Sequence, residues 1–158
     1  MDPTATLILG VHLVGAALWV GGSVAIGVVA TVLGRSERPE AVAELATVAQ
    51  RLGWVMWPAL LVTIATGAYN LTWAFPGGLA PGTTAGNALM VKFGLVALLL
   101  ITAGAHAFVL GPRLRRARES GVDPERRLRL GRWNRYLGIV TVITSLLVVF
   151  AAAFVAGG

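Results

Sequence analysis

Nine of the thirteen Lys and Arg residues fall within 23 positions, at Arg113, Arg115, Arg116, Arg118, Arg126, Arg127, Arg129, Arg132 and Arg135. Apolar runs too long for soluble helices flank this block on both sides. Only lipid absorbs so much apolar sequence. Charged residues make up 13% of the chain, against about 25% in a soluble domain, and the mean hydropathy is +0.77. The net charge of +6 is therefore a topology signal and not a nucleic-acid footprint, because the arginines adjoin membrane spans and no stacking aromatics are interleaved among them. Cysteine is absent, which excludes disulfides, thiolate metal sites and cysteine nucleophiles. The start, Met-Asp-Pro, has no basic segment ahead of the first apolar run, so that run is expected to be a retained span and not a cleaved signal.

A helical span needs roughly 20 apolar residues to cross about 30 Å of hydrocarbon. Four segments qualify, at about 4–34, 52–75, 87–110 and 136–155. A barrel would need short alternating strands, so helices are expected throughout. The fold class is all-α: a single-domain, antiparallel four-helix transmembrane bundle. Residues 35–51 carry Arg35, Arg38 and Arg51 among Glu37, Glu40 and Glu44, with Val42, Leu45, Val48 and Leu52 at helical spacing. An amphipathic helix is expected there, starting near Pro39 and leading into span two. Residues 76–86 are uncharged and hold four glycines, which reads as a loop. Gly121, Asp123 and Pro124 divide the arginine loop into two short amphipathic helical pieces. Loops one and three are basic and loop two is neutral, so loops one and three are expected in the cytoplasm and both termini outside. Trp133 and Tyr136 at the inner edge and Trp73 at the outer edge fit aromatic belts. Anionic lipid is the natural partner of the arginine loop, beside the bilayer itself; a homo-oligomer stays open.

An ionisable residue within a span is a functional hypothesis by default. His12, Lys92 and His106 qualify. Counted along their helices, His12 lies about 12 Å and Lys92 about 7 to 8 Å below the outer edge. Tyr69 and Asn70, near the outer end of span two, are at similar depth. One cluster of His12, Lys92, Asn70 and Tyr69 is thus expected, with Met90 close in sequence to Lys92. Gly15, Gly21 and Gly22 on the helix of His12 allow close approach of a helix or ligand. His106 lies about 28 Å down span three, too far from His12 for both imidazoles to share one iron. Lys92 reads equally as a residue snorkelling to the outer interface, and His106 as an interfacial histidine bonded to a helix carbonyl. Thr63, Thr66, Thr141, Thr144 and Ser145 read as packing hydroxyls bonded back to their own helices. Pro58 is expected to kink span two.

The segment His12-Leu-Val-Gly-Ala-Ala-Leu-Trp19-Val-Gly21-Gly22 resembles the first span of CopD-like and HemJ-like membrane proteins. Arg51-Leu-Gly-Trp-Val-Met-Trp-Pro58, followed by Thr66-Gly67-Ala-Tyr-Asn-Leu, resembles their second. Met90-Val-Lys92-Phe-Gly-Leu-Val, ending in Ala-His106 and Gly-Pro-Arg113-Leu, resembles their third, and Arg132-Trp-Asn-Arg135-Tyr-Leu-Gly the start of their last. The resemblance covers nearly the whole chain and implies a multi-pass protein of a prokaryotic-type inner membrane. Its HemJ side implies haem b and protoporphyrinogen oxidation, an oxidoreductase activity, with the first-span histidine at His12 and the third-span lysine at Lys92 as key positions. The chain departs from the HemJ pattern at the end of span one, which reads Val-Ala-Thr-Val-Leu-Gly. The CopD side implies copper uptake.

Three functions follow from these residues. In the first, a haem b redox protein, His12 is the axial ligand and Lys92 either the opposite ligand as a neutral amine or a cation holding a propionate. Trp19, two turns below His12, lines the pocket floor. In the second, a copper-uptake or copper-resistance protein, Met90 and His12 form one ligand pair, although Cu(I) favours softer donors and only Met1, Met56 and Met90 are present. In the third, a non-catalytic accessory subunit, the amphipathic loops dock a partner. No catalytic residue is singled out, and His106 remains a secondary metal candidate.

Overall fold

The computed structural model describes residues 2–33, 39–75, 82–121 and 123–157. Met1, the charged segment 34–38, most of the glycine-rich connection (76–81), Val122 and Gly158 lie outside the described residues. The elements are α1 (Pro3–Leu33), α2 (Pro39–Ala74), α3 (Thr84–Gly104), a π-helical turn (Ala105–Leu110), α4 (Gly111–Glu119) and α5 (Pro124–Gly157), with no strand among the described residues. Four helical stretches are long and apolar enough to cross a membrane: Pro3–Leu33, Thr47–Ala74, Thr84–Ala117 and Pro124–Ala153. The protein is an all-α, multi-pass membrane protein, as its apolar runs require, and its spans carry exposed Leu, Val, Ile and Phe side chains toward lipid.

Local chemistry sets the helix ends. Thr83 accepts a hydrogen bond from the Gly86 amide at 3.1 Å and so caps α3, satisfying one of the donors a helix start leaves over. Asp123 does the same for α5 through the Glu125 amide at 3.3 Å. Between α4 and α5, Gly121 turns the chain with φ +62°, a conformation that favours glycine. The amphipathic segment before span two is not a separate helix; it runs on into the span as α2. The arginine loop divides where expected, but α4 continues span three and the start of α5 continues into span four.

Two compact units result, Met1–Leu79 and Ala80–Gly158. In the first, α1 packs on α2. The α1 seam is His12, Gly15, Trp19 and Gly22, spaced by three and four residues, and the α2 seam is Met56, Ala59, Thr63 and Gly67. Gly22 faces Met56, Gly15 faces Ala59 and Thr63, and His12 faces Gly67, so the pair is antiparallel. A Cβ on Gly15 would overlap Thr63 Oγ1; glycine there lets two backbones approach closely where lipid supplies no hydrophobic drive. In the second unit α3 packs on α5. Its core is Leu89, Leu99, Thr102 and Ala103 against Thr141, Thr144 and Ser145. The buried hydroxyls of Thr102, Thr141 and Ser145 donate to carbonyls of their own helices, which satisfies these donors within the bundle.

Candidate functional site

His12 is built into the first unit by its neighbours on α2. Its Nδ1 lies 2.8 Å from the Thr63 carbonyl and 3.2 Å from Thr66 Oγ1. A carbonyl can only accept, so Nδ1 carries the proton. The Thr66 hydroxyl already donates to the Val62 carbonyl at 2.6 Å, so its oxygen is the second acceptor of that proton. With Nδ1 protonated, the basic lone pair of a neutral imidazole sits on Nε2, the nitrogen a metal would take. The ring lies over Gly67, where an added Cβ would stand 3.0 Å from Cε1. Thr63 and Gly67 are one helical turn apart, so one face of α2 supplies both the acceptor and the space.

The second unit repeats this device with different residues. His106 Nδ1 donates to the Asn134 carbonyl at 3.0 Å, and its ring lies over Gly138, where a Cβ would stand 3.4 Å from Cε1. Asn134 and Gly138 are again four residues apart. His106 also sits inside the π-helical turn, whose wide hydrogen bond runs from the Gly111 amide to the His106 carbonyl. Pro112 explains that turn: it lacks an N–H and would clash with the carbonyl four residues back, and widening the helix ahead of it relieves the clash. The side-chain Oδ1 of Asn134 is buried with no hydrogen-bond partner among the described residues.

The other residues singled out from sequence fall as follows. Asn70 lies on α2 one turn beyond Gly67 and is partly buried. Tyr69 is 40% exposed and tilts toward Trp73 with ring centroids 6.3 Å apart. Trp19 is buried edge-on against Trp57 at 5.5 Å, two turns along the seam from His12. Lys92 and Met90 belong to the second unit. Met90 is 50% exposed. Lys92 falls on the part-buried stripe of α3 that runs through Leu89, Val96, Leu99 and Ala103. Counted from the His106–Asn134 contact, the antiparallel register brings it level with residues 146–150 of α5, Leu-Leu-Val-Val-Phe. No acidic or polar side chain of α5 stands at that level. A lysine on a packing seam differs from one that snorkels freely, and its placement there keeps it a candidate.

Sequence reasoning reached both histidines, the Thr66-Gly67 pair and a helix carbonyl as the partner of His106, but not which carbonyl or which glycine each ring meets. The Asn134 carbonyl and Gly138 lie 28 and 32 residues from His106, and nothing local in the sequence marks the pairing. No group of three or more His, Cys, Asp or Glu side chains capable of holding a metal occurs among the described residues. Each histidine is an imidazole oriented by a backbone carbonyl of the neighbouring helix.

Comparisons with curated proteins and with solved structures returned no match. A family profile described as Copper resistance protein D matches residues 46–155. The matched stretch takes in Thr63, Gly67, Asn70, Lys92, His106 and Asn134, and begins after α1 and His12. Spanning well over half of the sequence, the match shows that the chain belongs to the copper resistance protein D family.

Proposed function

We propose that this protein handles copper as cargo in the membrane, in the manner of an uptake or resistance component, and that His12 is a contact for the ion. The observation that supports the reading is the 2.8 Å contact of His12 Nδ1 with the Thr63 carbonyl, which leaves Nε2 as the basic nitrogen of a neutral imidazole. Such outer partners commonly change metal affinity 10- to 100-fold. Imidazole alone does not select copper over zinc, iron or nickel; the family supplies the identity of the metal. Met56 does not join His12, because it sits beside Gly22, ten residues or about 15 Å along α1. Nitrogen and sulfur are thus separate contacts along this unit, and His106 offers a second oriented imidazole on the other. An inner-membrane location with the arginine loop in the cytoplasm is part of the proposal.

Haem b remains the second reading, because an axial histidine also needs its Nδ1 proton tied down and Nε2 presented. The family match does not speak for haem or porphyrinogen oxidation. One preparation separates the readings. The protein is purified in detergent, titrated with Cu(I) against a chromogenic chelator, and scanned in the visible. Copper binding that weakens in His12→Ala and persists without a Soret band supports the proposal. A dithionite-sensitive Soret band that disappears in His12→Ala establishes haem instead. Wild-type copper affinity in both His12→Ala and His106→Ala leaves a non-catalytic accessory role.

A further inference from the structure

The arginines of the third loop do more than set orientation. Arg113 and Arg116 on α4, and Arg126 and Arg129 on α5, line a single cleft of about 360 Å³ together with Ala117, Ser120 and Leu130. Both walls lie within the second unit, and Ala117 is buried where α4 packs on α5. Four exposed guanidinium groups around one cleft make it favourable for an anion. Of the three local carboxylates, Glu119 and Asp123 have other partners, and Glu125 lies in an adjoining groove that shares Arg126 and Arg129 with the cleft. Glu119 pairs with Arg115 at 3.8 Å, outside the cleft. Asp123 accepts the Glu125 amide as the cap of α5. Glu125 lines a neighbouring groove with Asp123, Arg126, Leu128, Arg129 and Arg132. Among the described residues no ion pair engages the four arginines of the cleft.

We infer that this cleft is a phosphate site that takes the phosphodiester headgroup of an anionic phospholipid. Guanidinium forks match phosphate oxygens two at a time, so arginine is the residue such a ligand requires. The lipid source follows from position. The α4 wall is continuous with span three and the α5 wall with span four, so the cleft opens where two spans leave the bilayer. Leu128, Trp133 and Tyr136 beside it are 66%, 56% and 58% exposed, and Trp133 and Tyr136 form an edge-on pair at 6.0 Å. Exposed apolar and aromatic side chains at that level suit the boundary between headgroups and acyl chains. Orientation alone would not need this geometry: the positive-inside rule counts Lys and Arg alike, wherever they fall in the loop.

That difference supplies the test. Arg116→Lys/Arg129→Lys keeps every charge, and therefore the topology, but removes two forks. Arg115→Gln removes a charge outside the cleft. Thermal unfolding of the purified protein is followed with added phosphatidylglycerol, phosphatidylcholine or inorganic pyrophosphate. Phosphatidylglycerol alone should raise the midpoint. Its apparent affinity should fall about tenfold in the double-lysine variant and stay unchanged in Arg115→Gln. An equal shift in all three proteins would overturn the site, and an equal shift with pyrophosphate would overturn the lipid assignment. If the double variant does not fold, arginine-selective modification of the wild-type protein decides. Phosphatidylglycerol should then protect Arg113, Arg116, Arg126 and Arg129 but not Arg115, and uniform protection counts against the cleft.

Discussion

At Gly67 the missing side chain matters as much as any present one. The His12 ring packs over Gly67, where a Cβ would stand 3.0 Å from Cε1, and a methyl group there displaces the imidazole and strains its bond to the Thr63 carbonyl. Gly67→Ala is therefore expected to weaken copper binding about tenfold, by the weight such outer contacts carry, with the fold retained. Gly53→Ala is the control, because nothing lies within 4 Å of a Cβ at that position. Competition titration of the two variants checks this, and equal affinities would mean that the ring is not held for a ligand. Gly15 makes a different prediction. A Cβ there meets Thr63 Oγ1 and stands 3.0 Å from the Ala59 carbonyl, a backbone atom that cannot swing aside. Gly15→Ala should destabilise the α1–α2 pair by about 1–3 kcal/mol, read as a lower thermal midpoint in detergent. Thr63→Ala in the same chain should restore part of the loss by removing the hydroxyl it strikes.

Among the elements, the π-helical turn over Ala105–Leu110 joins a histidine to the arginine cleft. One extra residue in a helical turn changes the angular position of all that follows by about 100°. The turn thus sets both the direction of His106 and the face that α4 presents to α5. Pro112→Ala restores an N–H for the Phe108 carbonyl and removes the ring that forces the widening. The helix should then close to ordinary α geometry and His106 should leave the Asn134 carbonyl. The ring nitrogen resonances of His106 report this directly: Nδ1 should lose its strong hydrogen bond in the variant. If they do not move, the widening is set by the packing of His106 on Gly138 and not by the proline. The sequence indicated Pro112 and His106 separately. It did not show the turn, because span three is apolar on every side and a one-residue slip in phase leaves no mark on its pattern.

For the whole molecule, what could be read in advance follows from how far each property reaches along the chain. Span number, helix class and the division of the arginine loop depend on the length of apolar runs and on Gly121, Asp123 and Pro124, all local. The imidazole contacts depend on register between helices, and a shift of one residue in α2 would take Thr63 away from His12. Depth counting from span ends resolves about a turn, so it brings residues to the same level but not to the same contact. Membrane sidedness is the global property on which the cargo's direction of travel depends, and it is testable on an unusually clean background. The chain has no cysteine, so any introduced thiol reports alone. Ser120 lies between α4 and α5 and Thr84 at the start of α3, and both are exposed. Six more positive than negative charges surround Ser120: nine arginines at 113–135 less Glu119, Asp123 and Glu125. The bias toward the cytoplasm is therefore strong. Thr84→Cys should react with a membrane-impermeant maleimide in intact cells. Ser120→Cys should react only after the membrane is opened. The reverse pattern would place the arginine cleft outside and turn α1 around with His12 on it. Labelling of both from one side would mean that Thr84–Ala117 does not cross the membrane, and the four-span topology would have to be redrawn.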